Sequence, residues 1–212
     1  MPSGMGPLST REVIMYKKQL GFQKIVCMFA VIVSAIWFIY SLGMITDIHD
    51  ALRFTIRDAA HPENSKVAGS ILYYDMQPFN KSFLNVSIGL ILLACLLYLT
   101  NTHIRRKYYV GNYVATILYS VASVATAIWS HIYINAFKWQ FLTTVDFDAL
   151  KEQSEMFSNI VYTESTALLD VHYLVAALAV LASVGLIVNM FWKLSVMRDE
   201  KALIETGKEV AV

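Results

Sequence analysis

Residues 171–192 read VHYLVAALAVLASVGLIVNMFW, 22 positions without Asp, Glu, Lys or Arg, set between Asp170 and Lys193. At about 1.5 Å per residue, a helix of that length crosses the roughly 30 Å hydrocarbon core of a bilayer. Lipid offers the backbone no hydrogen bonds, so a helix that pairs its own amides and carbonyls is the expected form.

Three more stretches free of those four residue types precede it, at 25–46, 82–102 and 108–137. The chain is 57% hydrophobic and 16% charged, which is more apolar and less charged than a soluble domain of its length. The expected fold class is therefore an all-α integral membrane protein, with four transmembrane helices in a bundle. The third stretch is 30 residues long, so its helix needs only part of it to cross lipid. Trp37 and Tyr40 lie toward the far end of the first stretch, and Trp129 and Tyr133 toward the end of the third. They read as interfacial aromatics. The first apolar run is longer than a secretory h-region, so the expectation is a retained anchor and not a cleaved leader.

Orientation follows from where Lys and Arg collect. Segments 1–24, 103–107 and 193–212 hold 4, 3 and 4 of them, against one, zero and four acids. The two long connections, 47–81 and 138–170, together hold six Lys/Arg and eleven acids. The positive-inside rule then places both termini and the basic turn in the cytoplasm, with both long loops outside a plasma membrane.

Each long loop carries a helical pattern. In the first, Ile48, Ala51, Leu52, Thr55, Ile56 and Ala59 fall on one face, and Pro62 interrupts the run. In the second, Asp146-Phe147-Asp148 can cap a helix whose apolar side is Leu150, Phe157, Ile160 and Val161. Asn80-Lys81-Ser82 fits a glycosylation sequon but abuts the second span.

Small side chains form stripes in the last two spans. Thr116, Ser120, Ser123, Ala127 and Ser130 recur at steps of four and three, and so do His172, Ala176, Ala179 and Ser183, with Gly185 and Asn189 close by. Tails are as apolar as leucine, so helices pair in lipid through close approach, dispersion and hydrogen bonds. The third and fourth spans are expected to pack closely, on each other or on a partner subunit. The first two, rich in Ile, Leu, Phe and Trp, are expected to face lipid or a groove in another protein.

Candidate chemistry is sparse. The topology brings Asp47, His49, His131, Asp170 and His172 to one level, near the outer interface. Imidazoles and a carboxylate could bind a divalent metal, and His131 with His172 could hold a haem. Polar residues also gather at span ends simply to reach water, and Asp170 suits a helix N-terminus. No HExxH, CxxC, P-loop or GxSxG is present. No span has Lys, Arg, Asp or Glu near its middle or Pro in its interior, features that ion-coupled carriers commonly use. The outer loops lack cysteine, which separates the chain from tetraspanins, claudins and connexins. Cys27 and Cys95 lie inside spans and read as small hydrophobes.

The leading expectation is a non-catalytic accessory or scaffold subunit of a larger membrane complex such as a transporter. Its partners would be the lipid bilayer and another membrane protein, met through the small-residue stripes of the third and fourth spans and through the two outer loops, with no cofactor and no nucleic acid. One alternative is a redox membrane protein with haem or a divalent metal on those histidines. Another is a small channel or carrier that self-associates along the Ser/Thr stripe.

Overall fold

The computed structural model describes residues 10–46, 50–57, 60–101, 107–157 and 162–209. These are 88% helical, and no strand occurs among them. The helices are α1 (Thr10–Thr46), α2 (Asp50–Thr55), α3 (Leu72–Asn101), α4 (Lys107–Thr144), α5 (Phe147–Met156) and α6 (Ala167–Glu209). Four of them, α1, α3, α4 and α6, are long and apolar enough to cross a membrane. All four run past their apolar stretches: α6, at 43 residues, is about 65 Å long, twice the hydrocarbon thickness.

α1 and α4 each pack against both α3 and α6, so the four long helices close into a ring with α1 opposite α4. The buried positions explain the geometry. In α1 they include Val26, Ala30, Val33, Trp37, Tyr40 and Met44, with Cys27, Ser34 and Ser41 beside them; in α6, His172, Val175, Ala179, Ala182, Leu186, Asn189 and Lys193, with Leu169 and Ser183 beside them. Steps of four and three alternate along both. That 3.5-residue period is the seam of helices crossing at a shallow angle of about 20°. In α3 the same alternation is broken by one extra four-residue step, from Phe83 to Ser87.

The first two spans therefore do not simply face lipid. Each turns a full stripe into the ring. Trp37, expected at the interface, is fully buried and meets Phe83 edge-on at 5.4 Å, and Tyr40 is buried beside it. The hydropathy of a span end is the same whether an aromatic faces in or out; only the helical phase distinguishes the two. Between α3 and α4 the seam is aromatic: Phe79 lies 5.0 Å from Trp129, 5.4 Å from Tyr133 and 5.5 Å from Phe137, ring centre to ring centre. Such pairs contribute about 0.5–1.5 kcal/mol each beyond their burial. α6 approaches α1 where Gly185 sits against Val26.

α2, α5 and the turn before α3 form a cap over the ring end away from the termini. The α2 helix is six residues long, with Ala51, Leu52 and Thr55 buried and Phe54 exposed. Gly69 adopts φ +77° beneath the end of α4. Beside it, the Asp146 amide donates to the Ala68 carbonyl at 3.1 Å. Asp146 caps α5, its carboxylate accepting from the Ala149 amide at 3.0 Å. α5 then buries Leu150 and stops at Met156, while Phe157 is exposed. Ile48, Ala59, Ile160 and Val161 lie outside the described residues.

α3 starts ten residues before its apolar stretch and runs through Pro78, which has no amide to bond back. The helix is held there from both sides by buried Met76 and Phe79. Asn80 of the sequon is also buried, and its amide donates to the Met44 carbonyl at 2.8 Å, which ties α3 to α1.

Candidate functional site

The sequence singles out His131, Asp170 and His172 near one end of the third and fourth spans; the fold stacks the two imidazoles at the capped end and pairs Asp170 with Lys138 and Thr166 instead. Asp47 and His49 lie outside the described residues. The two imidazoles stack with centres 5.5 Å apart and planes 29° off parallel. Their surroundings differ. His172 is fully buried between α4, α6 and α1, while His131 is exposed on the outer side of α4.

Their hydrogen bonds differ as well. His131 Nε2 lies 3.0 Å from the Asn135 amide nitrogen, and the Asn135 carbonyl accepts from the Tyr173 hydroxyl at 2.6 Å. An amide nitrogen only donates, so His131 Nε2 is the acceptor there. His172 Nε2 lies 3.2 Å from the Ser130 hydroxyl oxygen. Ser130 has one proton to give, and the Thr126 carbonyl at 2.7 Å is its nearest acceptor. With that proton spent on Thr126, the Ser130 oxygen suits the Nε2–H tautomer of His172, and in that tautomer Nδ1 is an acceptor. That atom is buried and has no partner among the described residues. Two aromatic rings lie tilted beside His172: Trp37 at 6.3 Å and Tyr40 at 6.5 Å, centre to centre.

Asp170 is committed elsewhere. Its carboxylate accepts from the Lys138 ammonium and, at 2.8 Å, from the Thr166 hydroxyl. Among the described residues, no group of three or more His, Cys, Asp or Glu converges as a metal site would require. A ligand seeking nitrogen from this pair would have Nδ1 of His172 to use without displacing Ser130 or Asn135.

The small-residue stripes point into the ring. Thr116, Ser120, Ser123, Ala127 and Ser130 of α4 are all buried, as are Ala179 and Ser183 of α6. Ala176 and Gly185 are half-buried.

A second polar cluster lies at the opposite end of the ring. Gln19, Gln23, Asn112, Asn189 and Lys193 are all buried. The Gln19 amide donates to Gln23 and to Asn189, both at 3.0 Å. The Gln23 amide donates to Asn112 at 3.4 Å, and the Lys193 ammonium reaches the same Asn112 oxygen at 3.1 Å, lying over the Tyr113 ring. The Asn112 amide passes the chain on to Thr100 at 3.2 Å. All four long helices are thus stitched by side-chain amides, where hydrocarbon offers no substitute partner. Between the two ends, the Tyr119 hydroxyl crosses from α4 to α1, 3.0 Å from both Ser34 Oγ and the Ala30 carbonyl.

Residue order alone does not reveal this cluster, because Gln19 and Gln23 stand in a basic stretch that reads as a membrane-surface segment. The available signal is their i, i+4 spacing, in register with the apolar positions of α1.

Comparison with known proteins gives no match to this chain from any family model, curated protein or solved structure.

Proposed function

We propose that this protein is a non-catalytic accessory or scaffold subunit of a larger membrane complex, such as a transporter, seated in a plasma membrane with both termini in the cytoplasm. The observation that carries the reading is the cap. α2 and α5 pack together outside the four long helices, and they leave Phe54, Met156 and Phe157 at 48%, 59% and 41% exposure. Lipid accounts for exposed apolar side chains along the spans, but not for those on a cap. Large apolar residues set among acids are the material of a protein-contact surface.

The interior supports the same reading. The small-residue stripes and the amide cluster are used within the chain, so contact with a partner falls to the cap and to the outward faces of the long helices. The test is purification in mild detergent, followed by identification of co-eluting proteins. A stoichiometric membrane partner is expected, lost when Phe54, Met156 and Phe157 are together replaced by Ser while the helical content stays unchanged. A preparation that elutes alone, as monomer or homo-oligomer, overturns the reading.

A further inference from the structure

We propose that Trp37, Tyr40 and His172 form a buried site for one hydroxyl group, supplied by a water molecule or by a hydroxyl-bearing lipid. Three polar atoms carry the inference: Trp37 Nε1, the Tyr40 hydroxyl and His172 Nδ1. None has a hydrogen-bond partner among the described residues, and their residues are 0%, 5% and 0% exposed. A buried polar atom left unpaired is destabilising, because it gives up its bond to water and gains none in return. Here the cost cannot be relieved by outward rotation, because Phe83 packs edge-on against both Trp37 and Tyr40.

The chemistry of the three atoms is complementary. Indole nitrogen only donates. His172 Nδ1 accepts, because its other nitrogen donates to Ser130. The phenol does either. One hydroxyl oxygen can accept from Trp37, donate to His172 and pair with Tyr40 in whichever sense remains. Three partners is the usual number for a buried water. A metal cation would find only one free acceptor nitrogen beside a donor of the same polarity, and an anion would face the bare Nδ1 lone pair. A neutral hydroxyl suits all three atoms. On its outer side His172 is stacked by His131, which is exposed.

The site does not depend on a partner subunit. Its test uses the full chain in lipid nanodiscs, labelled with 15N at His and Trp and examined by NMR, with Trp37→Phe assigning the indole signal. The expected result is a hydrogen-bonded Trp37 N–H and an unprotonated His172 Nδ1. A cross-peak from water to that indole proton identifies water as the source. An indole shift that changes between phosphatidylglycerol and phosphatidylcholine, without a water cross-peak, identifies a lipid hydroxyl, since only the first headgroup has one. Tyr40→Phe should shift both the Trp37 and His172 signals by removing a shared partner. A free indole N–H that ignores both water and lipid, or a proton on Nδ1, overturns the proposal.

Discussion

Gly69 shows how much one residue can fix. Its φ of +77° lies where an L side chain is strained, and an added Cβ would stand 2.4 Å from the Thr144 carbonyl oxygen. Backbone cannot move aside as a flexible side chain can. Gly69→Ala is therefore expected to cost about 2 kcal/mol or more. Thermal unfolding in detergent should report a lower midpoint, and hydrogen exchange should rise at 144–156 before it rises in the long helices. Gly185 is a gentler case. A Cβ there would meet Val26 Cγ1 at 3.2 Å, and valine has little rotamer freedom on a helix with which to yield. Gly185→Ala should destabilise by about 1 kcal/mol alone and by clearly less in a Val26→Ala background. A double-mutant cycle of unfolding free energies measures that difference. At this scale the sequence placed His131 and His172 at one level, and their rings stack, while Asp170 pairs with Lys138 and Thr166 instead. It misled for Trp37 and Tyr40, since an aromatic near a span end looks the same whether it faces headgroups or core.

At the scale of elements, helices begin and end where backbone groups find other partners. Asp146 illustrates the start of α5. Its side chain takes the Ala149 amide, so Asp146→Ala should cost about 1 kcal/mol and speed exchange of the first α5 amides, leaving α4 unaffected. Composition located that cap because Asp before an apolar run has a local cause. It did not give the length of α2. Its apolar face was legible over 48–59, yet the described helix is Asp50–Thr55, with burial of Ala51, Leu52 and Thr55 supplied by the cap. The tie between helices at the end near the termini is a tertiary matter. Asn112 accepts from Lys193 and Gln23 and donates to Thr100. Asn112→Leu should lower stability by about 2 kcal/mol by removing the acceptor that Lys193 and Gln23 share, and Gln23→Leu should lower it by less. Unfolding measured in bicelles checks both. Four uncharged amides near span ends were visible in the sequence, but which of them would meet depends on how α1, α4 and α6 are arranged around the ring.

For the molecule as a whole, four apolar stretches were enough to announce four membrane-length helices, because lipid restricts the backbone to so few forms. The 3.5-residue spacing of their buried positions, readable only once burial is known, explains why those helices close into a ring. Charge is asymmetric: Lys and Arg gather with the termini and the turn between the second and third spans, while the two long connections carry eleven of the sixteen acids. If all four membrane-length helices cross the bilayer, cap and termini lie on opposite sides of it. Single cysteines introduced into a Cys27→Ala/Cys95→Ala background test this directly, at Glu152→Cys in α5 and Lys201→Cys in α6. A membrane-impermeant maleimide applied to intact cells should label the first and reach the second only after the membrane is opened. Labelling of both from outside, or of position 201 alone, would contradict it.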